Sequence, residues 1–91
     1  MSDTDPQWGR AEVHAFERTA QRWYYPDTDS RVYVTVEQRA YDGEAYWYLF
    51  DRDVGRGHKM TMQRTGGGGR VDAAKREAIA TYVAYLLEKA T

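Results

Sequence analysis

The chain contains no cysteine, and only two of its 91 residues are proline. Without a thiol it can form no disulfide and has no thiolate nucleophile or thiolate metal ligand. This composition is typical of a reducing compartment, so we expect a cytoplasmic protein. No apolar run reaches the roughly 18–20 residues that span a bilayer, so no membrane partner is expected. Residues 1–5 are acidic and polar, unlike a signal peptide, and are expected to be disordered.

Neither sign of charge is in excess. Thirteen Lys and Arg residues stand against 14 Asp and Glu residues, a net charge of −1. This balance argues against a dedicated nucleic-acid binder, because such proteins need a surplus of basic side chains to neutralise phosphates. The charge is unevenly distributed, since residues 52–76 carry seven basic side chains and two acidic ones. A local surplus of this kind can steer an anionic partner, although mixed surface charges also cluster by chance.

No motif for catalysis or cofactor binding is present. The glycine patterns of phosphate-binding and dinucleotide-binding loops are absent, and His14 and His58 have no second ligand at metal-site spacing. We therefore expect no enzyme activity, no cofactor and no metal. A hydrophobic content of 42% with three Trp, eight Tyr and two Phe instead predicts one folded domain over residues 1–91.

The N-terminal part of the chain has the pattern of a helix. Asp5 and Pro6 match an N-cap followed by proline at the first helical position. Pro26 disfavours helical geometry before it, so the helix is expected to end near Trp23 or Tyr24. The residues with helical apolar spacing are Val13, Phe16, Ala20 and Trp23.

Two alternating segments, residues 31–41 and 44–51, flank an Asp-Gly pair and predict a β-hairpin. Asp42 and Gly43 suit a two-residue type I′ turn, because both turn positions require positive φ. This turn places Tyr41 opposite Glu44 and Val36 opposite Leu49. One face of the hairpin is then aliphatic and is expected to face the core.

The other face of the hairpin is aromatic and charged. Tyr33, Tyr46, Tyr48 and Phe50 are predicted to share it, with Arg39 at the centre. Tyr and Arg are typical anchors of protein interfaces, and aromatic sheet faces also stack the bases of single-stranded nucleic acids. The alternative is structural, because Tyr and Phe favour strands in any case.

The C-terminal part predicts a third strand, a loop and a helix. Residues 58–64 alternate, with Met60 and Met62 expected on the aliphatic face. The glycines at 66–69 predict a flexible loop over residues 65–70, whose role the sequence leaves open. Asp72 is expected to cap a helix that runs to about Ala90. Its predicted apolar stripe consists of Ile79, Tyr82, Val83, Leu86 and Ala90.

The predicted fold is α+β, a three-stranded antiparallel sheet with N- and C-terminal helices on one face, in the order α-β-β-β-α. This order, together with the segment GGGGRVDAAKR at residues 66–76, resembles the double-stranded-RNA-binding domain. The resemblance implies that Arg70, Lys75 and Arg76 would grip phosphates at the start of the last helix.

Two functional hypotheses follow from these patterns. The first is a small non-catalytic protein-interaction module that uses the aromatic face, with a protein partner or a second copy of itself. The second is a nucleic-acid-binding module in which the same aromatic side chains stack bases. The phosphate contacts in that second hypothesis are Lys59, Arg64, Arg70, Lys75 and Arg76.

Overall fold

The computed structural model describes residues 7–13, 18–53 and 61–90. In chain order its elements are β1 (Gly9–Ala11), β2 (Thr19–Tyr25), β3 (Val32–Arg39), β4 (Ala45–Asp51), β5 (Thr61–Gly69) and α1 (Val71–Ala90). The strands form one antiparallel sheet in the order β1-β2-β3-β4-β5. The domain is therefore α+β, with α1 lying on the β3, β4 and β5 part of the sheet.

The predicted N-terminal helix is wrong, and so is the three-stranded α-β-β-β-α fold. Residues 19–25 form β2, in which Trp23 opposes Val36 on the helix side and Tyr24 opposes Thr35 on the other side. The alternation of Gln21, Trp23 and Tyr25 competed with the helical spacing. The strand forms because aromatic side chains favour half-buried strands and because β3 offers an edge with which residues 19–25 can pair. The described elements follow the order β-β-β-β-β-α instead. Residues 1–5 and Phe16 lie outside the described residues.

The hairpin between β3 and β4 forms, but its predicted register is wrong by two positions. Val36 lies opposite Trp47 rather than Leu49. The reason is a longer loop over residues 40–43, closed by the amide of Gly43, which donates to the carbonyl of Arg39 at 3.0 Å. Within this loop Gly43 takes a positive φ, of 73°, and Asp42 does not. Because side chains alternate with a period of two, the even shift leaves every residue on its predicted face.

Strand β5 continues through the glycines that were predicted to be a flexible loop. Gly66 pairs with Trp47 and Gly67 with Tyr46, so the predicted loop over residues 65–70 is wrong. Met62 pairs with Phe50 and therefore lies on the aromatic side, not on the aliphatic one. Register shifts in the β4–β5 pairing change which side chains share a face, and alternation alone cannot reveal them. Lys59 and Met60 lie outside the described residues.

The predicted C-terminal helix is confirmed, but it begins at Val71, so Asp72 lies in its first turn rather than at its cap, and its apolar stripe is partly wrong. Ala74 and Ala78 are buried against the sheet, whereas Val83 and Leu86 are 49% and 39% exposed. Small alanine side chains allow the helix axis to approach the strands closely, so they occupy the contact face. The buried core consists of Val32, Val34, Val36, Ala45, Trp47, Leu49, Ala74, Ala78 and Tyr85. Among the described residues, no helix is long and apolar enough to cross a bilayer.

A buried carboxylate anchors the C-terminal half of the helix. Asp51, at the end of β4, is fully buried and accepts a hydrogen bond of 2.6 Å from the hydroxyl of Tyr85. Its other oxygen accepts the amide of Asp53 at 2.9 Å and lies 3.5 Å from Nε of Arg31. Burial alone would raise the pKa of Asp51, but the hydrogen bonds and the charge of Arg31 together lower it below its usual value. The carboxylate is thus charged and well solvated by the protein.

Candidate functional site: the aromatic face of the sheet

The sheet surface opposite α1 carries partly exposed aromatic side chains from neighbouring strands. We define the aromatic face as Tyr24, Tyr33, Tyr46, Tyr48, Phe50 and Met62. Cross-strand pairing places them together, since Tyr33 opposes Phe50 and Thr35 opposes Tyr48. Within the described ranges no helix or strand covers this surface, because α1 packs on the opposite side. Five of these side chains are half-buried and Met62 is 46% exposed, and a contiguous patch of partly exposed apolar side chains often marks an interaction site.

The rings on β3 and β4 contact one another. The ring centroids of Tyr33 and Phe50 are 5.3 Å apart, and those of Tyr48 and Phe50 are 6.5 Å apart. Burial raises the pKa of Tyr33, against the opposing charge of Arg52, and burial followed by the charge of Glu37 raises that of Tyr48. Both hydroxyls therefore stay protonated at neutral pH, and this patch is uncharged.

Arg39 is held beside the aromatic face by its neighbours. Its guanidinium lies 4.4 Å from the centroid of the Tyr46 ring and 4.9 Å from that of Tyr41. It donates to both carboxylate oxygens of Asp42, at 2.6 and 3.2 Å, and to the hydroxyl of Tyr46 at 2.7 Å. A bidentate pair of this kind fixes the guanidinium and neutralises its charge.

A second ion pair lies beside the first. Nε of Arg22 on β2 donates to Glu37 on β3 at 2.7 Å, across directly paired positions. Both side chains of the pair are 28% exposed. With the Arg39–Asp42 pair, two of the basic groups of this surface are matched by acidic groups within the same chain. A third, Arg52, acts on Tyr33 and donates to the carbonyls of Thr28 and Ser30 rather than to an acid. The surface is therefore aromatic, with most of its charge paired.

Glycines on the two edge strands allow tyrosine rings to lie flat on this side. The ring of Tyr24 lies directly over Gly9 of β1, where any Cβ would clash with it. The ring of Tyr46 lies over β5, and a Cβ on Gly68 would be 3.6 Å from it. Aromatic rings that cover glycines in this way strengthen weak edge strands.

The sequence-predicted aromatic residues are brought together. Tyr33, Arg39, Tyr46, Tyr48 and Phe50 all lie on this side of the sheet. Sequence reasoning missed Tyr24, Arg22 and Met62. Tyr24 and Arg22 could have been found by testing residues 19–25 for strand alternation, but the position of Met62 depends on the irregular β4–β5 pairing.

The sequence-predicted phosphate contacts lie elsewhere. Arg64 is on the helix side, 5.2 Å from the ring centroid of Tyr85 and paired with Glu88 at 2.5 Å. Arg70 and Arg76 approach Asp72 at 3.3 and 3.6 Å at the start of α1.

Lys75 is also on the helix side, where its ammonium lies 4.3 Å from the ring centroid of Trp23. Lys59 falls outside the described residues. The sheet therefore separates the described basic candidates from the aromatic face.

Within the described ranges, no three His, Cys, Asp or Glu side chains come close enough to hold a metal ion. No protein family, curated protein or solved structure matches the chain.

Proposed function

We propose that this protein is a non-catalytic interaction module that associates with a second copy of itself through the aromatic face. The observation that carries the proposal is the aromatic face, which no described element covers. Tyr33, Tyr46, Tyr48 and Phe50 are the anchors, with Arg39 held at the edge of the patch. Tyr and Arg are enriched among the residues that contribute most to binding, and Phe and Met are also common at interfaces.

The size of the face follows from the dimensions of the sheet. Five strands about 4.8 Å apart, with an average of about seven residues of roughly 3.3 Å each, give a projected area of roughly 440 Å². This projection is about half of the roughly 800 Å² that one partner contributes to a standard interface, so the proposed contact is a small one.

The charge distribution supports a second copy as the partner. Arg22 pairs with Glu37, and Arg39 pairs with Asp42, so these four charges stay matched when two copies meet through this face. Two sheets can stack face to face at about 10 Å with their side chains interdigitating. The resulting dimer is a β-sandwich with one helix on each outer side. We also propose a cytoplasmic location, since a chain without cysteine fits a reducing compartment.

The nucleic-acid hypothesis has less support. It requires one strand to stack on the aromatic face while basic side chains hold its phosphates. Arg64, Lys75 and Arg76 lie with α1 on the other side of the sheet. The guanidinium of Arg39 is already neutralised by Asp42.

The test is the mass of the purified protein by light scattering at 50 mM and 500 mM salt, with absorbance at 260 and 280 nm read across the same peak. We expect a salt-resistant dimer of twice the chain mass of 10.6 kDa, with background absorbance at 260 nm. Tyr48→Ala should shift the mass toward the monomer. Leu87→Ala is the matched control, because it removes a 64% exposed apolar side chain from α1.

A monomer at all concentrations would refute the proposed function. A monomer that carries material absorbing at 260 nm at low salt, and loses it at high salt, would favour the nucleic-acid hypothesis, since phosphate contacts weaken steeply with salt.

A further inference from the structure

Helix α1 carries a second apolar surface that its own sheet does not use. Ile79, Val83, Leu86 and Ala90 follow one another at spacings of four, three and four residues. Val83 is 49% exposed and Leu86 39%, and Ala90 is also exposed, whereas the buried residues of the helix are Ala74, Ala78 and Tyr85. Alternating spacings of four and three are the pattern of a helix that packs against another helix.

We call this side of α1 its flank. A row of side chains along the flank begins and ends with a cation. Lys75, Ile79, Tyr82, Leu86 and Lys89 are spaced by four, three, four and three residues, so they lie in line on the helix. The two lysines are 14 residues apart, or about 21 Å along the axis. The centre of the row is apolar and aromatic.

Neither lysine has an acidic partner among the described side chains. The ammonium of Lys75 lies over the rings of Trp23 and Trp8, at 4.3 and 5.6 Å from their centroids. That of Lys89 lies 5.3 Å from the centroid of the Tyr85 ring. Burial, and then the charge of Arg10, lower the pKa of Lys75, which indicates a cation without a compensating anion. The nearby acid Glu88 pairs with Arg64.

A cavity of 350 Å³ adjoins the C-terminal end of the row. It is bordered by Tyr82, Leu86 and Lys89 of α1, and by Arg31 and Val32 at the start of β3. Its lining combines apolar side chains, such as Val32 and Leu86, with the basic side chains of Arg31 and Lys89. A cavity with this lining suits an apolar side chain that a partner inserts beside the helix.

From this arrangement we propose that the flank of α1 docks an amphipathic helix of a partner protein. The partner helix carries an apolar stripe of about three turns and an acidic side chain near each end, opposite Lys75 and Lys89. Complementary charges at the two ends of the row set the position of the partner helix along the flank of α1. This surface lies on the opposite side of the sheet from the aromatic face, so the proposal does not depend on self-association.

The test uses two synthetic helical peptides of about 18 residues with the same leucine stripe. One peptide has Glu at both ends of the stripe and the other has Lys. Binding to the full chain is measured by anisotropy of the labelled peptide, and the site is located by amide chemical shifts. We expect the acidic peptide to bind at least about tenfold more tightly at low salt, with shifts along α1 and at Trp23.

Neighbouring substitutions on the helix provide the control. Val83→Glu should weaken binding of the acidic peptide by about tenfold or more, because it places a charge in the apolar surface formed by Ile79, Val83 and Leu86. Ala84→Glu adds the same charge one residue away, on the side of the helix that faces away from this apolar surface, and should change binding less than about twofold. Circular dichroism and urea unfolding show whether each variant remains folded.

A charge exchange tests the lysines directly. Lys75→Glu combined with Lys89→Glu should reverse the preference, so that the basic peptide binds more tightly than the acidic one. The proposal is overturned if the wild type binds neither peptide or binds both equally. Equal effects of Val83→Glu and Ala84→Glu, or an unchanged preference after the charge exchange, would also overturn it.

Discussion

The hydroxyl of Tyr85 donates a 2.6 Å hydrogen bond to the carboxylate of Asp51, and both side chains are buried. Asp51 ends β4 and Tyr85 lies in the last third of α1, so this contact joins residues 34 positions apart in the chain. A buried carboxylate is costly unless donors surround it. Tyr85, Asp53 and Arg31 supply those donors. The contact therefore fixes where the C-terminal half of the helix lies on the sheet.

Removing the hydroxyl of Tyr85 should destabilise the fold without changing its shape. Tyr85→Phe keeps the ring but leaves the buried carboxylate with one fewer hydrogen bond, a loss of about 1–3 kcal/mol in the free energy of unfolding. Urea unfolding followed by circular dichroism measures it. The control is Tyr41→Phe, at a ring that is 70% exposed, where no change is expected. Equal effects of the two substitutions would show that the Asp51 contact contributes little.

The same contact should make stability depend on pH at both extremes. The contacts that lower the pKa of Asp51 stabilise the fold only while its carboxylate is charged. This stabilisation is complete above about pH 4, near the usual carboxyl value, and is lost as pH falls through the lowered pKa. Burial, followed by the hydrogen bond to Asp51, raises the pKa of Tyr85 to about 12. This stabilisation is present below about pH 10, the usual tyrosine value, and is lost as pH rises toward 12.

The measurement for this pH dependence is the urea midpoint from pH 3 to pH 11, compared between the wild type and Tyr85→Phe. Other tyrosines with raised pKa values, such as Tyr33 and Tyr82, add to the alkaline loss in both proteins. The informative quantity is therefore the difference between the two curves. That difference should shrink above pH 10, and parallel curves would contradict the assignment.

A methyl group at Gly66 should destabilise the sheet. An added Cβ would lie 2.7 Å from the ring of Trp47, which is buried in the core. Overpacking of this kind costs about 1–3 kcal/mol, so Gly66→Ala should lower the free energy of unfolding by that amount. Gly69→Ala is the matched control, because no atom lies within 4 Å of its added Cβ. If Gly69→Ala were as damaging as Gly66→Ala, the close approach of Trp47 would not be the cause.

Neutralising two of the basic side chains on α1 should leave self-association intact. Lys75→Ala combined with Arg76→Ala removes charge from the helix side of the sheet, away from the aromatic face. Light scattering should give the same dimer mass at low and high salt, because neither side chain takes part in the proposed contact between two aromatic faces. Loss of bound material that absorbs at 260 nm in this double variant would instead support nucleic-acid binding.

Local patterns predicted the parts of the fold that depend on neighbouring residues. Alternation in residues 31–41 and 44–51 placed the valines of β3 and the tyrosines of β4 on opposite faces, and both assignments are correct. The same patterns failed at β2, where Trp23 and Tyr25 fit either a helix or a strand until a partner strand is present. They also failed at the glycines of β5, whose strand geometry comes from pairing with Tyr46 and Trp47.

The sequence by itself determined the side-chain alternation of the central hairpin, the extent of α1 and the identity of most residues on the aromatic face. These properties follow from a period of two or 3.6 residues, which a chain carries locally. Only the tertiary structure decided that α1 packs through Ala74 and Ala78 rather than through Val83 and Leu86. That choice depends on how closely the helix approaches the sheet and on the Tyr85–Asp51 contact, since both join residues distant in sequence.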